Sequence, residues 1–306
     1  MRRSDNLMDS LVEGLCLVTL TGFFWALVGA VFSYVSRQNI EFVAFMFISS
    51  LFSAIGAWIF LFQPNNLAGD GGGVCLNMVV VMAIAGLFGS AGFQLMGNAM
   101  RKGNRGIVWI VSQSAMILPL LTAVFFFNEK PGMLNWSGII MILAGLAMLG
   151  IKRGVTQKPN TSAGGWLWMS YAVFLLVGIS LSLTTLPSHW KSFHDAAGLR
   201  LPVIFTVSML YFLTQTIAKG KKCLTRRTVV LGLTYSVVVF LGQLGLYRSL
   251  DGFAQFGRVG MVYPIAIGIC VVLFSVYSVV FLKDEFNGRM LASMLGITGG
   301  IFLLAL

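Results

Sequence analysis

Long apolar stretches alternate with short polar breaks along the whole chain. A helix that crosses a bilayer needs about 20 mostly apolar residues. Ten such stretches are present: Gly14–Tyr34, Phe42–Phe62, Leu76–Met96, Ile107–Phe127, Leu134–Ile151, Trp166–Leu186, Leu201–Ala218, Val229–Arg248, Gly257–Leu282 and Arg289–Leu306. The breaks carry the glycine, proline, asparagine and charge that end helices: Gln63 to Asn66, Gly69 to Gly73, Asn128 to Gly132, Lys152 to Gly165, Pro187 to Gly198 and Lys219 to Arg227. The pattern predicts an all-α polytopic membrane protein with ten transmembrane helices and no room for a soluble domain.

One stretch is written twice. Gly92 to Glu129 is an apolar helix, a basic turn at Arg101, Lys102 and Arg105, and a second apolar run with Pro119 near its middle. Gly242 to Glu285 repeats it: Gln94-Leu95 answers Gln243-Leu244, Asn98 answers Tyr247, and Gly103 answers Gly252, all at a shift of 149. Past the turn the register slips, so that Gly106-Ile-Val-Trp109 answers Gly260-Met-Val-Tyr263 and Glu129 answers Glu285. In the first and sixth stretches, Trp25 to Gly29 falls on Phe174 to Gly178 at the same shift of 149. Five crossings per copy is an odd number, so the second copy enters the membrane upside down. The expected organisation is two inverted five-helix repeats, residues 1–153 and 166–306, joined by a linker at 154–165.

Composition narrows the class. The 306 residues are 57% hydrophobic and only 10% charged, against roughly 25% charged in soluble domains. Such a chain has lipid as its main solvent and localises as a multi-pass membrane protein. The net charge of +11 sits between apolar runs rather than in one stripe, which argues against nucleic acid as a partner. Seven of the 21 basic residues fall on the side of the termini and fourteen opposite, so positive-inside logic places both termini outside. Cys16, Cys75, Cys223 and Cys270 show no CxxC or Cys/His spacing and read as small packing residues, with no metal or disulfide. The first apolar run is too long for a signal-peptide core and lacks a clear cleavage site, so it is expected to be retained. Small residues recur every fourth position at Gly22/Ala26/Ala30, Ala85/Gly89, Gly86/Ser90 and Ala292/Gly296/Gly300. They allow close helix approach within the chain, or a homodimer through the last crossing.

The chain resembles the drug/metabolite transporter superfamily, in its EamA-like branch with some flavour of the rhamnose and sugar transporters. The residues carrying the resemblance are Trp25-Ala26 in the first crossing, the proline-containing fourth crossing closed by Phe127-Asn-Glu-Lys130, and the glycine-rich fifth from Asn135 to Gly145. The resemblance implies secondary transport of a small metabolite by alternating access, with the solute held between the halves. It also implies cytoplasmic termini, at odds with the charge count. In the second copy Pro264 stands further from its acidic turn than Pro119 does from Glu129.

Polar groups facing lipid are costly, so those within crossings should point inward. Gln94 and Asn98 are four apart on one helix face, and Gln243 and Tyr247 repeat that arrangement. Amides and a phenol around one central space suit a neutral or zwitterionic solute, because they offer donors and acceptors without fixed charge. The competing reading is interhelical hydrogen bonding. Trp25, Trp109 and Tyr263 are candidate stacking platforms, although Trp109 lies near a crossing end, where interfacial aromatics collect. Gln113, with Ser112 and Ser114, follows Trp109 by one turn. Pro119 and Pro264 are the hinge candidates, since each removes a backbone hydrogen bond. The ten carboxylates fall at crossing rims, which argues against proton symport through a buried acid. Glu129 and Glu285 read as turn caps, and Asp251 with Arg258 as an ion pair at the membrane edge. His189 and His194 with Asp195 make a poor metal set. No catalytic constellation and no cofactor loop is visible. A membrane enzyme or a non-transporting scaffold are the rival functions.

Overall fold

The structure, a computed structural model, describes residues 2–38, 40–62, 72–103, 105–153, 163–190, 193–219, 224–282 and 288–305. The helices are α1 Arg2–Arg37, α2 Phe42–Leu61, α3 Gly72–Lys102, α4 Arg105–Ser114, α5 Ile117–Phe127, α6 Met133–Arg153, α7 Ala163–Thr185, α8 Arg200–Lys219, α9 Arg226–Ala254, α10 Val262–Leu282 and α11 Gly288–Ala305. Three short 3-10 turns, Leu186–His189, Phe193–Leu199 and Val259–Met261, complete the described residues, which hold no strand. Most of the expected linker, residues 154–162, lies outside the described residues; its last three begin α7.

Among the described residues nine runs are long and apolar enough to cross a membrane, with α4 and α5 together making the fourth, Val108–Phe127. The fifth expected crossing is the 21-residue helix α6, Met133–Arg153, which carries a shorter apolar run, Met133–Leu149. Ile59, Phe60, Phe125, Phe126, Phe281 and Phe302 are strongly exposed. In lipid these rings form the outer surface, and the protein is a multi-pass membrane protein.

Close packing runs between the first five crossings and the last five. Helix α1 lies on α9 and α10, α2 on α8 and α9, α3 on α7 and α8, α4 and α5 on α7, and α6 on α11. The small residues explain the closeness. A Cβ at Gly300 would come 2.5 Å from the Gly138 carbonyl, and one at Gly138 would come 2.6 Å from the Gly300 carbonyl. Gly22 sits against Ala266 and Ile269 of α10. Gly89 faces Ser180, whose hydroxyl donates to the Ala85 carbonyl at 2.8 Å. These stripes serve packing within the chain.

The fourth crossing is broken. Between α4 and α5 the bonds shorten to three-residue steps: Ala115 N–H to Ser112, Met116 N–H to Gln113 and Leu118 N–H to Ala115. Pro119 has no N–H to give to the Ala115 carbonyl, and Leu118 takes that acceptor instead. Pro264 is placed differently. It lies in the first turn of α10, just after the Val259–Met261 turn, where an N–H would have no partner within the helix anyway.

Candidate functional site

Trp25 and Tyr263 meet where α1 packs on α10. Their rings stack with centroids 6.1 Å apart and planes inclined by 25°. Tyr263 is fully buried, and its hydroxyl shares a 2.6 Å hydrogen bond with the Thr184 hydroxyl at the end of α7. Trp25 is half-buried and also lies against Gly242 of α9, the residue before Gln243. Gln243 itself is half-buried. One aromatic from the first half and one from the second thus meet here.

Tyr247 is buried one turn beyond Gln243. The Arg200 guanidinium stands 5.5 Å above its ring. Arg200 Nη1 donates to Asp251 Oδ1 at 2.8 Å and Nη2 to Ser188 Oγ at 3.2 Å, while Ser188 donates to the same Asp251 oxygen at 2.8 Å. The arginine side chain is 2% exposed and the aspartate 24%. This network corrects one sequence expectation. Asp251 pairs with Arg200 rather than with Arg258. It lies in the last turn of α9, at the rim of the crossing, and α9 runs to Ala254 instead of stopping near Arg248.

The remaining candidates are spread out. Gln94 is half-buried, and Tyr211 of α8 donates its hydroxyl to the Gln94 side-chain oxygen. Asn98, one turn on, is exposed, so the shared face of these two does not become a shared environment. Trp109 is buried rather than placed in an interfacial belt. It packs on Phe274 of α10 with centroids 5.8 Å apart and against Gly29 of α1. Its indole N–H is buried without a hydrogen-bond partner. Gln113 is half-buried at the break of the fourth crossing. His189 stacks flat on Phe127 at 3.7 Å. The side chains of His194 and Asp195, and Glu285 as a whole, lie outside the described residues. Among the described residues no three His, Cys, Asp or Glu side chains gather as a metal site.

The first half of the sequence resembles a known family. Residues 12–151 match the EamA-like transporter family. The match is consistent with a membrane transporter of the drug/metabolite transporter superfamily. No curated protein matches the sequence. A solved crystal structure, whose title calls it only a protein, is similar over 95% of this chain and 96% of its own, with a TM-score of 0.70 at 14% identity. That likeness carries the fold and nothing finer.

Arg200, Ser188, Thr184 and Tyr211 were not among the residues singled out in the sequence. Arg200 opens a crossing, where an arginine ordinarily faces headgroups. Its partner Asp251 is 51 residues away, beyond the reach of any helical spacing. The hydroxyls are too common in membrane helices to stand out.

Proposed function

We propose that this EamA-like transporter moves a small polar metabolite, neutral or zwitterionic, by alternating access, with the solute held where α1, α9 and α10 meet. The observation that carries the reading is the Trp25–Tyr263 stack, which joins a ring from each half, with Trp25 also against Gly242, the residue before Gln243. Rings of this kind pack against a sugar face or an aromatic side chain, while the amide and hydroxyl groups around them orient a solute without fixed charge. The charge inventory agrees with this. The buried cation here, Arg200, is already neutralised by Asp251, so a strongly anionic solute has to displace a formed pair.

The packing pattern supports two equivalent halves. Number the crossings one to ten, taking α4 and α5 as the fourth. The pair one and eight then becomes six and three when five is added to each, counting past ten back to one. Likewise one and nine becomes six and four, and two and eight becomes seven and three, while two with seven and five with ten map onto themselves. Inverted repeats with this symmetry rock about a central site. In this scheme the break before Pro119 is the hinge, and Pro264 fixes the start of its partner helix.

The test is ligand-dependent stability. Purified protein is screened by thermal shift against sugars, amino acids and nucleosides, because a ligand that binds only the folded form raises the melting temperature. One class is expected to shift the wild type and to lose that shift in Trp25→Ala and Tyr263→Phe. A ligand whose shift survives both substitutions places the site elsewhere.

A further inference from the structure

The two ends of the bundle carry unequal charge. Basic residues crowd the end where α1 and α3 finish and α2 and α9 begin, and Glu41 is the one acid among the described residues there. Three arginines of this end converge on the close of α1 from different crossings. Arg37 stands in the last turn of α1 itself. Arg227, from the start of α9, donates through Nη2 to the Tyr34 hydroxyl and to Gln38 Oε1 at 3.0 Å, and its guanidinium lies 5.5 Å above the Tyr34 ring. Arg101, from the end of α3, donates through Nη2 to the Ile40 carbonyl at 3.3 Å, just before α2.

All three arginines are exposed, and none has an acid partner among the described residues. The contacts of Arg101 and Arg227 are neutral oxygens and a ring, which position the guanidinium groups without cancelling their charge. Arg226 and Arg227 also open α9, where backbone N–H groups without helical partners already carry partial positive charge. A cation at that place is unfavourable unless an anion answers it. Beside Arg101 the surface turns apolar: Phe32 and Val35 of α1, Phe42 of α2, and Gly97 and Met100 of α3 line a pocket that Arg101 also borders.

We propose that the close of α1 binds an anionic phospholipid, its phosphate held by Arg37, Arg101 and Arg227 and the first methylenes of an acyl chain lying over the pocket between α1, α2 and α3. Guanidinium groups match phosphate through paired N–H···O bonds. The arginines stand where crossings leave the bilayer, at the depth of lipid headgroups, and each basic residue there strengthens the binding of anionic lipid about fivefold. Arg227 belongs to the second half and the other two to the first, so the lipid clamps α9 to α1 and α3 and stabilises the folded protein. Tyr34 lies about 13 Å along α1 from Trp25, so the lipid does not take the place of the transported solute.

The experiment titrates purified protein in an uncharged detergent with dioleoyl phosphatidylglycerol and reads the melting temperature at each lipid concentration. The wild type is expected to gain stability saturably, with no comparable gain from dioleoyl phosphatidylcholine or from inorganic phosphate. Arg37→Gln removes no side-chain contact among the described residues and should raise the half-saturating concentration about fivefold, and Arg37→Gln/Arg101→Gln/Arg227→Gln should raise it about 100-fold. Lys152→Gln/Arg153→Gln/Arg289→Gln removes the same charge from the same end of the bundle, where α6 meets α11. Salt screens charges so far from the site, and this variant should shift the half-saturating concentration less than about threefold. A loss as large in that variant as in the triple arginine variant overturns the site in favour of diffuse surface charge. An equal gain from phosphatidylcholine, or no gain from phosphatidylglycerol, overturns the anionic lipid. An equal gain from inorganic phosphate overturns it too and assigns the arginines to a free anion.

Discussion

Asp251→Ala and Arg200→Met remove opposite ends of the same ion pair, and the structure predicts unequal costs. Without Asp251 the guanidinium stays buried, its side chain 2% exposed, with Ser188 as its remaining partner in that network. Removing one partner of a buried ion pair costs about 3–5 kcal/mol, and the contacts that survive place this case near ~3 kcal/mol. Without Arg200 the aspartate is 24% exposed and still accepts from Ser188. Water reaches it, and the loss should be about 1–2 kcal/mol. Thermal unfolding in nanodiscs reads the difference. At about 2 °C per kcal/mol, Asp251→Ala should melt about 6 °C below wild type and Arg200→Met about 2–4 °C below. The double variant Arg200→Met/Asp251→Leu should recover to within about 2 °C, because neither charge is left stranded. Equal losses in the two single variants, or a double variant that melts at the sum of both, would refute a buried and coupled pair.

Three other outcomes follow from the packing and the candidate site. Gly300→Ala should lower stability by about 2 kcal/mol or more, since its Cβ would meet the Gly138 carbonyl at 2.5 Å and backbone cannot yield. Gly178→Ala should cost under about 1 kcal/mol, because its nearest neighbour is the movable end of the Leu118 side chain; thermal melts compare the two. Pro119→Ala supplies an N–H for the Ala115 carbonyl, so it should straighten the fourth crossing and slow flux with little change in melting temperature. Gln94→Ala and Gln243→Ala should each lower flux in proteoliposomes while losing only about 0.6 kcal/mol of stability, and unchanged flux in both would remove the amides from the site.

The helices were legible because crossing a membrane leaves a one-dimensional record. Twenty apolar residues in a row admit no other fold, and the breaks fall at glycine, proline and charge. Helix ends were less legible. The eighth apolar stretch ends at Arg248, yet α9 continues to Ala254. In the site, Pro119 marked the right crossing, while the break itself lies at Ala115 and Met116, where the missing N–H is felt upstream. Gln94 and Asn98 share a face by spacing. Only the packing of α8 decides that the first meets Tyr211 and the second lies exposed. The turn cap expected at Glu129 proved to reach the amides of a different crossing, a contact 130 residues long that no local motif encodes.

Counterflow in proteoliposomes puts the whole account at risk in one measurement. Vesicles loaded with the ligand found by thermal shift and placed in labelled ligand should take up label transiently above equilibrium, saturably and without ATP, and Trp25→Ala should abolish the overshoot. Uptake that is linear in concentration, needs ATP or shows no overshoot would contradict a solute held alternately toward each side between two moving halves.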